Sequence, residues 1–309
     1  MNELEFRDWR SGDDLELLQV FGDPRSPQAH QDRTMLRENS DAPFSRTLVA
    51  SVDGVAIGAG VVFASSLHPQ RLWLYVEVAA EQRRSGVGTA LVAKLRQQIP
   101  ADQAQQLKAR YTVTPGDPAT AAAGFCKALG LGEIQVSRDV ILEPGALAEP
   151  VFDTNDRVIE ELSTGSVELT KLVMDFYNKV HEQWDPAKMT VGSAQRMLLD
   201  EHTGAQAALV LRDKPKSQGG VPLAFAVSYV PAREDAPSDV LVGHNPAFSD
   251  DEVAEAVRDM VAMLIHQYPV KLEVDSSMFI LASLIDALAG VEQATVISTT
   301  HILASDAAK

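Results

Sequence analysis

The sequence contains a single cysteine, Cys126, among its 309 residues. It can form no internal disulfide and no cysteine-based metal cage. A reducing compartment such as the cytoplasm is therefore the expected setting. Long apolar runs are also missing. The longest nearly uncharged stretch, VAIGAGVVFASSL at residues 55–67, is too short to span a bilayer and is broken by glycines. The opening residues MNELEFRDWRSGDD are acidic and mixed, which does not suit a secretory signal. Basic residues are scarce: 27 Lys and Arg stand against 43 Asp and Glu, a net charge of −16. The deficit is uneven, with 15 basic and 19 acidic residues up to position 150 and 12 against 24 after it. Such a surface repels a phosphate backbone, so no nucleic-acid partner is expected. It tolerates or attracts a cationic small molecule such as an amine, although an acidic half can equally be a plain soluble surface. The seven histidines (His30, His68, His181, His202, His244, His266, His301) show no ligand spacing, and no metal site is expected. No nucleophile elbow or P-loop occurs either.

What is present is ordinary globular material, 45% hydrophobic and 23% charged, in a length that suits about two domains. Residues 3–7 read as a strand and 13–20 as a helix, followed by a polar stretch with a helix around 30–38. Strands at 47–52 and 55–64 flank Asp53-Gly54, a two-residue hairpin signal. A strand at 72–79, a helix at 86–98, a strand at 107–114, a helix at 118–129 closed by Gly130, and a strand at 133–142 complete the first half. LEPGALAEP then reads as a linker. The second half repeats the order. Strands are expected at 158–162, 205–212, 223–230, 240–244, 270–275 and 294–303, and helices at 167–180, 193–201, 250–267 and 279–288. The expected fold class is α/β (α+β): two tandem domains, 1–146 and 147–309, each a mixed central sheet flanked by helices.

The segment LWLYVEVAAEQRRSGVGTALVAKL, residues 72–95, carries the chemistry. An apolar strand runs into Arg83-Arg84-Ser85-Gly86-Val87-Gly88, and a helix follows at once. Glycines allow close backbone approach and positive φ. Consecutive amides and the helix N-terminus then face an anion such as a pyrophosphate. A dinucleotide fingerprint would need a third glycine where Leu91 stands and would follow the first strand, so that fold is disfavoured.

This segment resembles motif A of the GNAT family of acyl-CoA-dependent N-acetyltransferases, whose signature Q/R-x-x-G-x-G/A is met by Arg83 through Gly88, with Val78 and Leu91 also in pattern. Phe125-Cys126-Lys127-Ala128-Leu129-Gly130-Leu131 resembles the F-Y-x-x-L-G-F end of the family's fourth helix. The element order agrees, so the resemblance covers residues 3–142. It implies acetyl-CoA as cosubstrate. The pantetheine arm would bond the backbone of Val76 and Val78 in a gap beside a splayed strand. Gly86, Val87, Gly88 and Thr89 would bind the pyrophosphate, with Ser85 in the same loop and Arg83 and Arg84 flanking. The implied reaction is direct attack of a primary amine of a small molecule on the thioester.

Direct attack needs a base for the ammonium and an acid for the leaving thiolate. Trp73, Tyr75 and Glu77 share one face of their strand. Glu77 is the candidate base, expected to be partly buried, the alternative being a solvated residue on an exposed sheet face. The family's usual tyrosine acid falls at Cys126, whose thiol could protonate the thiolate, although free cysteine is more often a small buried hydrophobe. Tyr111 and Tyr75 are spare phenols on neighbouring strands, and either could serve as the acid, although such tyrosines are more often packing residues. The departure at Cys126 favours an alternative reading, a non-catalytic acyl-CoA-binding or regulatory protein.

The second half lacks the loop. Its counterpart, GHNPAFSDDEV at 243–253, has no G-x-G, and Pro246 removes an amide donor. Ser249 and Glu252 form a capping box, and Asp250, Asp251 and Glu252 would repel a pyrophosphate. It is expected to be a degenerate GNAT-like domain without CoA. The layout is similar to that of the mycothiol synthase family, but that family keeps a CoA loop in its second half, so its activity does not carry over. Two similar domains can pack as a pseudo-dimer in a monomer, or the chain can form a homodimer.

Overall fold

The computed structural model describes residues 4–24, 27–152, 156–231, 233 and 236–305. Glu3, expected to open the first strand, lies outside them. Two compact units are present. The first comprises residues 1–111, 120–134 and 302–309, the second residues 112–119 and 135–301.

In chain order the first unit begins with β1 (Leu4–Asp8), α1 (Asp13–Phe21), α2 (Pro27–Arg33), β2 (Ser40–Asp41), β3 (Phe44–Val52) and β4 (Val55–Phe63). It continues with β5 (Leu72–Val78), α3 (Val87–Gln97), β6 (Leu107–Val113) and α4 (Thr120–Ala128), and β7 (Gly132–Leu142) starts in it. Its sheet runs β1-β3-β4-β5-β6, with β2 beside β3. Asp53 and Gly54 both take positive φ, 50° and 78°, the conformation a tight β3–β4 hairpin requires. The hydrophobic core lies on both faces. Leu72, Leu74, Leu91, Val92, Leu95 and Leu107 pack beneath α3 and α4. Leu17, Leu36, Val49, Ala59 and Val61 pack on the α1 side with Tyr75 and Phe21 against them. That two-sided cover explains why β4 is a continuous buried run instead of an alternating one. Gly60 permits it: a Cβ there would sit 3.1 Å from the side chains of Leu95 and Val76.

The second unit holds β8 (Val158–Leu162), α5 (Val167–His181), α6 (Val191–Ala194), β9 (Ala205–Arg212) and β10 (Pro222–Tyr229). After these come β11 (Ser238–His244), α7 (Asp250–Leu264), β12 (Val270–Asp275), α8 (Phe279–Ala289) and β13 (Ala294–Ala304). Its sheet runs β7-β12-β11-β10-β9-β8. The expected α/β class with mixed sheets flanked by helices in tandem is what the chain adopts.

Three elements differ from expectation. α2 starts at Pro27, whose fixed φ suits a first helical position, and it ends at Arg33, where the Thr34 hydroxyl donates to the Gln31 carbonyl at 2.7 Å. The helix expected at 193–201 starts at Val191 under a Thr190/Ser193 capping box and widens into a π turn over Gln195–Leu199. The strand expected to close the first half contributes residues 135–142 to the second unit, pairing antiparallel with β12 from Ser137↔Asp275 to Leu142↔Val270. The C-terminal residues 302–305 belong to the first unit instead. There the Ser305 amide donates to the Leu107 carbonyl (2.9 Å), and the Leu107 amide to the Ser305 hydroxyl (3.1 Å).

Candidate active site

β5 pairs with β4 along its whole length, from Trp73↔Phe63 to Val78↔Gly58. With β6 it pairs only at Leu72↔Leu107 and Trp73↔Lys108. Beyond Trp73 the two parallel strands part. The amide of Leu72 donates to Gln106 on the β6 side (2.9 Å), and that of Ala79 to Ile57 on the β4 side (2.9 Å). Since backbone groups alternate in direction along a strand, Val76 and Val78 direct theirs into the gap. There the Val78 carbonyl accepts from Arg83 Nε at 3.0 Å.

A 3₁₀ turn, Ala80–Gln82, follows, and the Ser85 hydroxyl donates back to the Gln82 carbonyl. Arg84 (φ 64°) and Gly86 (φ 89°) turn the chain into α3. Gly86 is the N-cap and offers no side-chain acceptor, and the first turn of α3 holds no acidic residue. No side chain of the N-cap thus satisfies the orphan amides of this helix start, an arrangement suited to an external anion. Arg83, Arg84, Ser85, Gly86 and Thr89 are exposed, whereas the Val87 side chain is buried in the core and leaves only its amide for a ligand. Gly88 answers a packing need: a Cβ would lie 3.1 Å from the Phe125 ring. The second sequence motif thereby underpins the first.

Glu77 is about as buried as expected, its side chain 18% exposed. Arg33 of α2 forks onto it, Nη2 to Oε1 at 2.7 Å and Nε to Oε2 at 2.9 Å, and the Tyr75 hydroxyl donates to Oε2 at 2.6 Å. Burial and the neighbouring carboxylate push the Tyr75 phenol far above its usual range, so it remains a donor. Cys126 is 6% exposed among apolar neighbours, and burial pushes its thiol up to about 11. Tyr111 is half-buried, and burial, then the charge of Glu133, raises its phenol too. Arg33 and its helix neighbour Asp32, which pairs with Arg110 (2.5 Å), carry no recognisable sequence signal. A groove of about 1060 Å³ beside α1 and α2 has Leu18, His30, Arg33 and Arg37 among its walls.

The second unit shows the same parting of strands. β11 and β12 pair in parallel only from Ser238↔Val270 to Val240↔Leu272. Here aromatic rings cover the end of β11 on its β10 side: a Cβ on Gly243, the cross-strand partner of Phe225, would lie 2.4 Å from the Phe225 ring, and Phe176 stacks edge-on against both Phe225 and His244. Burial holds the His244 imidazole below its usual pKa. At the start of α7 the amide and hydroxyl of Ser249 both donate to Glu252 (2.8 and 2.7 Å), which lowers that carboxyl, and Asp250 and Asp251 fill out the first turn. Among the described residues, no three His, Cys, Asp or Glu are grouped to hold a metal ion. No helix of theirs is long and apolar enough to cross a membrane.

Residues 6–131 match the acetyltransferase (GNAT) family. No curated protein matches the sequence. Among solved structures, a tandem GNAT protein from the clavulanic acid biosynthesis pathway, without acetyl-CoA, is 16% identical at a TM-score of 0.60, over 99% of this chain and 100% of that one. A GCN5-related N-acetyltransferase from Sphaerobacter thermophilus is 14% identical at 0.59, over 97% and 95%. The glucosamine N-acetyltransferase region of a fungal multi-domain beta-N-acetylglucosaminidase is 13% identical at 0.64, over 98% of this chain and 38% of that chain. At these identities the likeness concerns the fold.

Proposed function

We propose that the protein transfers an acetyl group from acetyl-CoA to a primary amine of a small molecule, a reading supported by the match of residues 6–131 to the acetyltransferase (GNAT) family and by the likeness of the whole chain's fold to a tandem GNAT protein. The observation that carries this reading is the pairing of a strand gap with an uncapped helix start in the first unit. The cofactor's pantetheine arm adds to β5 through the backbone of Val76 and Val78. The amides of Val87, Gly88 and Thr89, reached past Gly86, hold the pyrophosphate, with Arg83, Arg84 and Ser85 at the rim. The acceptor enters along the groove beside α1 and α2, one wall of which is Arg33, the residue that forks onto Glu77.

Glu77 takes a proton from the ammonium and the free amine attacks the thioester carbon. The tetrahedral intermediate collapses with loss of thiolate, which water reprotonates. Cys126 is a packing residue in this scheme. Its thiol at about 11 is a weaker acid than an ordinary thiol at about 8.5, so proton transfer from it to the leaving group is uphill. Tyr111, whose phenol is raised by burial and by Glu133, stays protonated. The second unit binds no CoA, and we take 146/147 as the boundary between the two sequence repeats. The single thiol suits a cytoplasmic setting.

The test is release of free thiol from acetyl-CoA over a panel of small amines, with the acetylated product identified by mass. Stoichiometric thiol and acetyl-amine support the reading. Tight binding of acetyl-CoA without release with any amine would favour the alternative, a CoA-binding regulatory protein. Its support is the carboxylate of Glu77, already engaged by Arg33 and Tyr75.

A further inference from the structure

Consecutive residues of α2 reach opposite sides of the gap between β5 and β6. Arg33 forks onto Glu77 of β5. Asp32 accepts Nη2 and Nε of Arg110, on β6, at a single oxygen (2.5 and 3.1 Å), and Gln28 Nε2 donates to the same oxygen at 3.0 Å. The strand ladder has already stopped at Trp73↔Lys108. Past that point one turn of α2 bridges the two strands through side chains. The bridge is itself anchored. Arg33 Nη1 donates to the Gly22 carbonyl at 2.6 Å, its guanidinium lies 5.4 Å from the centre of the Phe21 ring, and Arg110 lies 5.2 Å from that of Trp73.

The two oxygens of Glu77 are loaded unequally. Oε2 accepts from both Arg33 Nε and the Tyr75 hydroxyl, whereas Oε1 accepts only Arg33 Nη2 among the described residues. A carboxylate has about four lone-pair positions, and the one left over is on Oε1.

We propose that Asp32 and Arg33 are positioning residues for acetyl transfer: together they hold the mouth of the strand gap, and Arg33 with Tyr75 leaves Oε1 of Glu77 as the atom that takes the acceptor's proton. This rests on the acetyltransferase reading above. An N–H bond of the ammonium breaks and its proton goes to Oε1. The freed lone pair attacks the thioester carbon, the C–N bond forms, and the C–S bonding pair leaves on sulfur. The surplus nitrogen proton passes through water to the thiolate. Glu77 is the catalytic group, and Asp32 and Arg33 act through it and through the spacing of β5 and β6.

The test compares Arg33→Met, Arg33→Lys and Asp32→Asn in the full chain. The measurements are steady-state acetylation of an amine accepted by the wild type, titration of acetyl-CoA, and thermal melting. Arg33→Met is expected to lower kcat at least about tenfold, since small misplacement of a reacting group is costly. Acetyl-CoA affinity should fall by less than kcat, because the pyrophosphate loop is untouched and only the spacing of the gap changes. Arg33→Lys keeps the charge but not the fork, and should recover part of the lost kcat. Asp32→Asn should give a smaller loss of the same kind. Unchanged kcat in folded Arg33→Met overturns the proposal. So does increased kcat, which would mark the guanidinium as a competitor of the acceptor for Glu77. If Arg33→Met does not fold, Arg33→Lys decides, and wild-type kcat in it overturns the proposal. A wild type that releases no thiol with any amine instead removes the acetyltransferase reading and the positioning role with it.

Discussion

The two units begin their post-gap helices in opposite electrical states. α3 starts at Gly86 with no capping side chain and no acid in its first turn, and two arginines precede it. α7 starts at Ser249 with Glu252 folded back onto it and two further acids alongside. Both helices follow a strand that parts from its parallel neighbour. The strand geometry common to the two units therefore does not make a site. What differs is a handful of loop residues at the start of the helix. The fold supplies a gap and a helix dipole, and the loop decides whether an anion is accepted there.

The largest test of this contrast concerns chemistry. Glu77→Gln keeps size and an acceptor oxygen but removes proton uptake. A positioned base contributes about 10²–10⁴-fold, so kcat/KM for the amine should fall within that range while acetyl-CoA affinity stays nearly constant. The loss should shrink at high pH, where free amine is abundant. Full activity of Glu77→Gln at neutral pH would leave the first unit distinguished by binding alone.

A smaller effect is expected on affinity. Gly86→Asp places a negative charge at the N-cap of α3 and makes the first loop resemble the second. No atom lies within 4 Å of a Cβ at that position, and Asp tolerates positive φ better than most residues, so the fold should survive. Acetyl-CoA affinity should drop at least about tenfold by calorimetry, about 1.4 kcal/mol. Wild type should titrate with one site per chain. A second site that persists in Gly86→Asp would erase the contrast between the units.

Much of this was legible because it is local. The RRSGVG run between an apolar strand and an amphipathic helix marks the uncapped start of α3, and Ser249 with Glu252 marks a self-capped helix. Strand alternation placed Tyr75 and Glu77 on one face. The contribution of residues 135–142 to the second unit was not legible, since 133–142 and 294–303 both read as apolar strands and nothing in such a pattern names the partner. Nor was Arg33. Its pairing with Glu77 spans 44 positions and arises from how α2 lies across the sheet, and a charged residue in a polar stretch reads as solvated. The end of α2 was misjudged for a related reason: a polar helix has little periodicity to mark its limits.

A third prediction probes an acid in the second unit. Asp275 is buried at the end of β12, and burial, then the charge of Glu273, pushes its carboxyl up to about 7. The native state therefore holds a proton that the unfolded chain releases near 3.8. The contribution of Asp275 to native stability is greatest below that value and is lost as pH rises from about 4 to about 7. Asp275→Asn should flatten this slope and raise the denaturation midpoint at pH 8 relative to wild type. A wild-type midpoint that does not fall across the window, or the same slope in the variant, would assign any pH dependence to other groups.

The smallest effect is expected at Cys126, where the sequence departs from the family's tyrosine. The side chain is 6% exposed, lies among the apolar residues beneath α3 and α4, and holds its proton to about 11. Replacing a buried sulfur by hydrogen removes little apolar area, so Cys126→Ala should cost about 1 kcal/mol of stability, readable as a shift of a few degrees in melting temperature. Activity should survive, because a thiol that weak in acidity is poorly matched to a departing thiolate. A folded but inactive Cys126→Ala would mean that the thiol has taken over the tyrosine's acid role after all. The first unit would then differ from the second by a complete acid–base pair and not by Glu77 alone. Restoring the family residue with Cys126→Tyr adds a ring to a filled core and should destabilise by about 1–3 kcal/mol, so alanine is the cleaner probe.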